Sequence, residues 1–595
     1  MTLFTFLTDY GMMAEKYEKR GTEMPGFYIT NCKPVLPENV PEADCIREQM
    51  QVDEFFVCRN TRRQFLNDKL FYQNEKYAVI LEGVILNKRE LMEKYTMDSY
   101  EKLVEFLIDQ DPQGFCEEFR GMFSGAVYHK QTKKWTVFSD HIGNRLVLYY
   151  VKDGKVIIGS QLNYITDTMK ANALERKLSR VGAEQFISYG CFLDESTWVE
   201  DVKRILPSDA IRIQDGTVSV YTYHTFRETS NEEISDEEAI ARLDEAFCRA
   251  VRRGLDKDRE YGYTDVIDIS GGADSRMIAY TAKRLGAENA ILAHYSQSGT
   301  NEMKVALEIA NKLDLECYVY ALDSAKFLMD AQRVIRMSSG TAYSAGITGG
   351  ERLLRALTGR NPGLEFTGLL GDIQEGAMID DPMETTKAPT MEYRRFLVEP
   401  ERGRTDLPVS TLNRFRTNNM FWLFVRGMLC GMSTFFTRQN YAEPYTPYGD
   451  VDFLDTIQSI PLERLTGDKI QIKWMMLKYP EAARIAYAVD GLPLQWHLKR
   501  WYPLARRYAG YWNRVVGKLT GLNRTNMNPF WKWDREKPWL REWSDPFFAE
   551  VMEQARREKL ADSQMLDRVE QLYHGNPHVR YYGITTAACW KEFLL

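Results

Sequence analysis

The chain has 595 residues and a formal net charge of -7, and hydrophobic residues make up 44% of it. This length predicts two or three domains that each bury a core, and the negative charge argues against general nucleic-acid binding. Nine cysteines are scattered without a Cys-x-x-Cys pair, so neither a zinc cage nor a disulfide framework is expected. No apolar run is long enough to cross a membrane, and residues 1–10 lack the features of a signal peptide. These observations favour a cytoplasmic location.

The pattern of apolar residues changes along the chain. Residues 1–205 contain short β-like runs at 77–84, 122–128, 135–138, 146–151 and 156–158, which predict a first, β-rich domain. Residues 225–490 form the second predicted domain. It opens with helices at 235–253 and 302–313 and strands at 266–269 and 290–295, and becomes mainly helical from about 390. This alternation predicts a doubly wound parallel sheet, and therefore an α/β protein.

The strongest motif is Ser-Gly-Gly-Ala-Asp-Ser, which follows a predicted strand and precedes a predicted helix. Its glycines let the backbone approach an anion, and the N–H groups at the start of the helix then point at that anion. The motif predicts a loop that binds pyrophosphate and is used to cleave ATP between its α- and β-phosphates; an ordinary tight turn is the alternative. The predicted ATP- and pyrophosphate-binding residues are Ile269, Ser270, Gly271, Gly272, Asp274 and Ser275, with Asp274 as a ligand for Mg²⁺.

Further motifs on both sides of this loop resemble the asparagine synthetase family. They are Phe-Arg-Gly-Met-Phe at 119–123, Asp-His-Ile-Gly-Asn-Arg at 140–145, Leu-Tyr-Tyr at 148–150, Thr-Gly-Leu-Leu-Gly-Asp at 367–372 and Pro-Tyr-Gly-Asp at 447–450. That family joins an N-terminal glutaminase domain to an ATP-dependent synthetase domain. The resemblance implies an Ntn-hydrolase-like αββα sandwich followed by a doubly wound, parallel-sheet synthetase domain.

The resemblance also implies roles for individual residues. Asp274 and Asp372 correspond to the family's two aspartates that hold Mg²⁺ and pyrophosphate, although Asp372 alone could be a turn-stabilising residue. Thr367 and Gly368 would line the adenine and ribose pocket. ATP and Mg²⁺ are therefore the expected cofactors.

A lysine completes the family's catalytic set. Lys473 matches its position, with Lys469 one turn earlier as the alternative and a solvated helix lysine as the third interpretation. A cation there would neutralise charge as the acyl-adenylate collapses. Leu369 stands where asparagine-forming members have a catalytic glutamate, which argues against free asparagine as the product. In this respect, and in Ile373, the chain is similar to the β-lactam synthetase branch.

The glutamine site departs from the family pattern. Glutamine-using members begin with a cysteine nucleophile, whereas the second residue here is Thr2. The family's Asn-Gly-Glu aligns with Glu82, Gly83 and Val84. An acidic Glu82 opposes an oxyanion, and Val84 cannot hold a substrate amine. We therefore expect no glutaminase activity, and an amine or free ammonia as the second substrate.

The predicted function is that of an AMP-forming ligase that adenylates a carboxylate and forms an amide. Asparagine synthetase proper and a non-catalytic scaffold that keeps the fold are the alternatives. Enzymes of tRNA thiolation and of NAD or GMP synthesis also use this loop, but they lack the Gly-Met-Phe and Leu-Tyr-Tyr neighbourhood.

Residues 491–595 form a predicted basic, tryptophan-rich extension. From 491 to 533 there is no acidic residue, and eight of the 12 tryptophans follow residue 490. Basic charge interleaved with aromatic rings suits a membrane surface, an anionic or carrier-bound substrate, or an acidic partner. Packing on the acidic remainder of the same chain is the alternative.

Overall fold

The computed structural model describes residues 4–7, 24–36, 45–227, 233–346, 350–371, 388–391, 396–465, 469–520 and 526–595. Its strands are β1 Phe4–Leu7, β2 Gly26–Thr30, β3 Cys45–Val52, β4 Phe55–Arg62, β5 Leu70–Gln73, β6 Tyr77–Ile85, β7 Gly121–His129, β8 Lys134–Ser139, β9 Leu148–Lys152, β10 Lys155–Gly159, β11 Val202–Arg204, β12 Asp209–Gln214, β13 Thr217–Thr222, β14 Thr264–Asp268, β15 Ile291–Ser296, β16 Cys317–Ala321, β17 Pro362–Phe366 and β18 Glu443–Tyr445.

The first nine helices are α1 Lys88–Lys94, α2 Tyr100–Gln110, α3 Leu162–Ala171, α4 Arg180–Tyr189, α5 Asp236–Tyr261, α6 Asp274–Arg284, α7 Asn301–Leu313, α8 Ala331–Ser338 and α9 Gly350–Leu357. They are followed by α10 Asn418–Trp422, a π-helical segment Leu423–Gly431, α11 Val451–Gln458, α12 Leu462–Leu465, α13 Lys469–Lys478, α14 Pro480–Arg484, α15 Tyr502–Thr520, α16 Phe530–Glu536, α17 Trp539–Arg557, α18 Ser563–His574 and α19 Pro577–Phe593. None of the described helices is both long and apolar enough to cross a bilayer.

The first part of the chain is an αββα sandwich. Its two antiparallel sheets have the strand orders β11-β9-β10-β2-β4-β3 and β13-β12-β8-β7-β6-β5. Side chains alternate between the faces of a strand, so every second residue of β6 faces the other sheet. Ala78 and Ile80 therefore lie in the core between the sheets, whereas Val79 and Leu81 pack with α2. The strands predicted between 77 and 158 are confirmed, and the sandwich extends beyond residue 205, because β12 and β13 belong to it.

The second part of the chain is built on a parallel sheet with the order β1-β16-β15-β14-β17-β18. Val266 and Ile267 of β14 enter cores on opposite faces of this sheet, which shows that both faces are covered. The predicted α/β class, with a sandwich and a doubly wound sheet, is confirmed.

Helix α5 is two turns longer than expected. Its start agrees with the prediction, because Ser235 Oγ accepts a hydrogen bond from Glu238 N. The helix continues through Gly254, where a Cβ atom would come 2.6 Å from the Phe366 ring. The glycine therefore provides close packing against the sheet and does not end the helix, which stops at Gly262 with a φ of 71°.

The first described strand, β1, does not belong to the sandwich. β1 pairs in parallel with β16 at the edge of the second sheet, with Phe4 opposite Cys317. Thr2 lies outside the described residues. Strand β1, which follows Thr2 in sequence, belongs to the parallel sheet. The sequence did not predict this placement.

The C-terminal extension divides into two unlike parts. From Phe530 onward its helices join a core that also contains Trp198 of the sandwich and Ile335 of α8. Trp533 and Trp590 are fully buried there. This part packs on the rest of the chain through apolar side chains, whereas α15 carries exposed apolar side chains.

One disulfide crosses between the two parts of the chain. Cys191, just after α4, is bonded to Cys430 in the π-helical segment, and both residues are buried. The sequence predicted no disulfide because residues 239 positions apart give no spacing signal. The other cysteines of the described residues are free thiols.

We expect the double variant Cys191→Ser/Cys430→Ser to lose about 2–4 kcal/mol of unfolding free energy, since the bond constrains the unfolded chain. Denaturant unfolding without reductant measures this loss, and Cys248→Ser, at a free thiol, serves as the control. Peptide mass spectrometry after thiol blocking should recover the 191–430 crosslink. Alkylation of both cysteines without reductant would contradict the assignment, and it would accord with the cytoplasmic location, which stays a prediction.

Candidate functional site

The site lies at the carboxyl ends of the parallel strands, where α/β sheets commonly bind ligands. A cavity of about 330 Å³ opens there between the ends of β14, β15 and β17. The residues that line it and matter below are Asp268, Ser270, Asp274, His294, Thr367, Arg438 and Met527. The sequence-predicted Ile269, Ser275 and Gly368 also line it.

The loop after β14 is held by its own hydroxyl groups. Ser275 Oγ accepts a hydrogen bond of 2.9 Å from Ser270 N and lies 2.8 Å from Ser270 Oγ. Gly272 N donates to Ser270 Oγ at 3.2 Å. Helix α6 begins immediately at Asp274, so the loop delivers the chain directly into a helix N-terminus. The predicted strand, glycine loop and helix are all present.

Two contacts close the loop from outside. Gly271 N donates to the Glu302 carboxylate, and Ala488 N donates to Gly271 O at 3.2 Å. A Cβ atom at Gly271 would overlap Ala488, so glycine is required by this close approach. Burial raises the pKa of Glu302. The sequence analysis did not identify Glu302. Its place in the first turn of α7, the helix that follows β15, could have suggested it.

Arg276 anchors the same region through hydrogen bonds to backbone carbonyl groups. Its guanidinium is fully buried and donates to the carbonyl oxygens of Ala482 at 2.9 Å, Ile485 at 3.1 Å and Ala486 at 2.8 Å. Burial lowers the pKa of Arg276 to about 10. The segment after α14 is thereby held against the loop.

The second glycine loop packs directly on Asp274. A Cβ atom at Gly371 would overlap the Asp274 carboxyl group, and one at Gly368 would come 2.8 Å from Ser275 N. Thr367 N donates to Tyr445 O at 2.9 Å, which fixes the loop to β18. The structure therefore brings the two predicted motifs together, while Asp372 itself lies outside the described residues.

The orientation of α13 places the two candidate lysines away from the cavity, and their catalytic role stays a prediction. On α13, Gln471 points inward and its Nε2 donates to Asp274 Oδ1 at 2.6 Å. Successive helix residues are about 100° apart, so Lys473 faces roughly the opposite way. Its ammonium pairs with Asp236 and its side chain is 43% exposed, while Lys469 is also exposed. Neither lysine is among the residues that line the cavity.

The cation in the cavity wall is Arg438. It donates to Asp268 Oδ2 at 2.8 Å, to Glu365 Oε1 and to the hydroxyl of Tyr295 at 2.7 Å. Burial disfavours its charge, but the Glu365 and Asp268 carboxyl groups more than offset this and raise the pKa of Arg438. Sequence reasoning missed this group, since its members come from three strands and a later segment.

Glu365 is fully buried within this cluster. Burial, reinforced by Asp268, raises its pKa well above the ordinary value despite the opposing effect of Arg438. Glu365 Oε1 accepts a hydrogen bond from Arg438, so the cluster places two carboxyl groups, those of Asp268 and Glu365, around one guanidinium.

His294 contributes no proton transfer near neutral pH. Its ring nitrogens contact Ile269 O and Ser296 Oγ, both at 2.8 Å, and burial lowers its pKa to about 4. The neutral ring therefore connects the end of β14 to β15 and serves as part of the cavity wall.

In the sandwich, charged side chains occupy the place that the resemblance assigns to glutamine. Glu82 is fully buried, accepts from Thr61 Oγ1 at 2.8 Å and pairs with Arg59 at 3.3 Å. Val84 is also fully buried, in an apolar core. The expected departures from the family are therefore internal structural contacts.

A buried ion pair continues this arrangement into the second part of the chain. Arg145 Nη2 donates to both oxygens of Glu443, at 2.7 and 2.5 Å. Lys69 is buried nearby and donates to Arg62 O at 3.0 Å; burial lowers its pKa to about 8. The buried Arg145–Glu443 pair thus joins the sandwich to the parallel sheet.

The described residues contain no group of three or more His, Cys, Asp or Glu side chains that could hold a metal ion. The loop can still take part in binding Mg²⁺ with ATP, because Asp274 lines a cavity beside backbone that only glycine allows. ATP with Mg²⁺ thus fits the residues present.

Comparisons with known proteins agree with this division. The family model of the glutamine amidotransferase domain matches residues 66–224, and that of asparagine synthase matches residues 242–352. No curated protein sequence matches the chain.

Two solved structures show weak likeness. One, the allosteric regulatory enzyme of purine biosynthesis, is 9% identical with a TM-score of 0.21, covering 50% of this chain and 74% of that one. The other, glutamine phosphoribosylpyrophosphate amidotransferase from B. subtilis complexed with ADP and GMP, is 10% identical with a TM-score of 0.23, covering 52% and 86%. Scores this low carry no argument. The two family models match in this order along one chain, which supports the resemblance to the asparagine synthetase family.

Proposed function

We propose that the chain is an AMP-forming ligase that adenylates a substrate carboxylate and joins it to an amine or ammonia without hydrolysing glutamine. The asparagine synthase domain supports ATP-dependent amide formation in general. The observation that carries the finer proposal is the packing of the second glycine loop on Asp274, at the end of the first loop, beside one cavity.

The proposed reaction has two steps. The substrate carboxylate attacks the α-phosphorus of ATP, and the bond to the β-phosphate oxygen breaks to release pyrophosphate. The amine then attacks the acyl carbon, the acyl–phosphate bond breaks to release AMP, and the amine nitrogen loses a proton. The loop N–H groups and serine hydroxyls would bind the departing pyrophosphate. Asp274 and, from outside the described residues, Asp372 would hold Mg²⁺, which neutralises phosphate charge.

Arg438 is proposed for the cationic role that the sequence assigned to Lys473. It lines the cavity, whereas Lys473 pairs with Asp236 outside it. A fixed guanidinium can stabilise negative charge as the acyl-adenylate collapses. The remaining wall is acidic, with Asp268, Glu302 and Glu351. An acidic wall suits a positively charged amine as the second substrate.

Three observations support the absence of glutamine hydrolysis. Glu82 is engaged with Arg59 and Thr61, and Val84 is sealed in a core. The Arg145–Glu443 pair is buried between the two parts of the chain. In addition, β1 belongs to the parallel sheet and to neither sheet of the sandwich. Asparagine synthetase proper and a non-catalytic scaffold remain the alternatives that the following experiments separate.

Exchange of labelled pyrophosphate into ATP, with pooled carboxylates, tests the nucleotide site. Asp274→Asn should abolish exchange, and Gln471→Ala should reduce it roughly 10–100-fold, because Asp274 then loses its positioning donor. Lys473→Ala lies on the same helix and is the matched control. It should change exchange less than about twofold and stability by about 0–1 kcal/mol, because its ion pair is partly exposed. The assignment of the nucleotide site would be refuted if Lys473→Ala lost pyrophosphate exchange. It would also be refuted if the wild type showed no exchange with any carboxylate.

A coupled glutamate assay tests the sandwich. We expect glutamine to produce no glutamate above background, and ammonium or an amine to support AMP formation where glutamine does not. The Arg145–Glu443 pair explains this result, since its charges occupy the interior. Glutamine-dependent AMP formation would overturn this part of the proposal, and asparagine formation from aspartate would favour asparagine synthetase proper.

The raised pKa of Glu365 predicts a pH-dependent stability. Its folded pKa lies above the ordinary 4.5, so the stabilisation is complete below about pH 4.5 and is lost as the pH rises through the folded pKa. The Glu365→Gln side chain resembles the protonated acid, so the variant should not lose stability as the pH rises. The melting temperature of the variant should therefore rise relative to the wild type between about pH 5 and pH 9. A constant difference across that range would show that Glu365 is ionised in the folded protein.

A further inference from the structure

Helix α15, Tyr502–Thr520, carries large apolar side chains that face solvent. Leu504, Tyr508, Tyr511 and Trp512 are 63%, 75%, 62% and 65% exposed. At 100° per residue these four positions fall within an arc of about 100° on one side of the helix. A contiguous aromatic face exposed on a globular protein marks an interaction surface.

Positive charge borders this face. Arg507 lies about 40° beyond Tyr511 on the helix, and Lys499 and Arg500, both exposed, directly precede the helix. In the sequence no acidic residue occurs between 491 and 533, although the whole chain carries a net charge of -7. The basic character is therefore local to this segment and cannot be attributed to the overall charge.

We propose that α15 docks the protein on an anionic lipid bilayer. An interfacial helix places its apolar arc among the acyl chains and its basic flank against anionic headgroups. Tyrosine and tryptophan suit this depth because each combines an apolar ring with a polar group. Because the exposed apolar side chains lie on one side of the helix, the helix would lie in the plane of the membrane. Charge complementarity and the aromatic face together favour lipid over an acidic protein, which would need the charge but not four exposed apolar side chains.

Contacts beside the cavity hold both ends of this region. Tyr502 OH donates to Asp490 Oδ2 at 2.5 Å, two residues from Ala488, which lies against the pyrophosphate-binding loop. Beyond the helix, Met527 lines the cavity and accepts from Gln297 Nε2 at 2.9 Å. Docking of α15 would bring the cavity to the bilayer surface, where a membrane-bound carboxylate or amine could reach it. This consequence rests on the function proposed above, whereas the docking itself does not.

Co-sedimentation of the full chain with vesicles, in the absence of ATP, tests the docking. The chain should bind phosphatidylcholine vesicles that contain phosphatidylserine and bind pure phosphatidylcholine at least about tenfold more weakly. Added salt should weaken the binding, because it screens the basic flank. Tyr508→Ser/Trp512→Ser and Arg500→Glu/Arg507→Glu should each reduce binding at least about tenfold.

Matched controls lie on the sandwich. Val220→Ser removes an exposed apolar side chain, and Lys155→Glu reverses an exposed charge; both should bind vesicles as the wild type does. Circular dichroism and pyrophosphate exchange identify variants that fail to fold, so a lost vesicle interaction can be separated from a lost nucleotide site.

The proposal is wrong if the wild type ignores anionic vesicles at low salt, or if Tyr508→Ser/Trp512→Ser binds them unchanged. Binding to poly-glutamate provides the third test. If the protein binds poly-glutamate as tightly as it binds the vesicles, and if Tyr508→Ser/Trp512→Ser leaves this binding unchanged, the surface recognises acidic protein. That result would overturn the lipid assignment.

Discussion

The site depends on the close approach of backbone to Asp274. The loop after β17 packs on Asp274, which follows the loop after β14, and a side chain at Gly368 or Gly371 would collide with Asp274 or Ser275. A side chain at Gly271 would collide with Ala488. Gln471 adds a hydrogen bond from a third element. Because these contacts join separate parts of the chain, the cavity exists only when the sheet and its helices are assembled. The glycines permit the approach, and the packing around Arg276 holds it.

Buried charge is handled in pairs throughout the molecule. Arg145 with Glu443, Arg59 with Glu82 and Arg438 with two carboxyl groups each satisfy charges that burial alone would penalise. Such pairs add little net stability compared with apolar packing, but removal of one partner is costly. Of the three, Arg145–Glu443 is the one that joins the sandwich to the parallel sheet. In the sandwich, the Arg59–Glu82 pair includes one of the residues that the resemblance assigns to the glutamine site.

The C-terminal extension shows that composition does not determine burial. Trp533 and Trp590 complete a core with Trp198, whereas Trp512 and Tyr508 remain in solvent on α15. These residues belong to the same basic, aromatic segment of the sequence. What separates them is whether a neighbouring element presents an apolar face. Helices α16–α19 find one on α8 and the sandwich, and the exposed arc of α15 is left for a partner outside the chain.

The sequence by itself determined the β-rich first part, the alternating second part and the loop after β14, because strand alternation, helix periodicity and a contiguous glycine motif are local signals. It also predicts that Glu82 and Val84 are unsuited to glutamine, which stays a prediction. Tertiary structure decided which helix face meets the cavity, so that Gln471 contacts Asp274 and Arg438 lies in the cavity wall, whereas Lys473 does not line it. It also decided that β1 joins β16, that Cys191 meets Cys430 and that Glu302 closes the loop. These outcomes depend on packing between residues tens to hundreds of positions apart, and such neighbours leave no pattern in a single sequence.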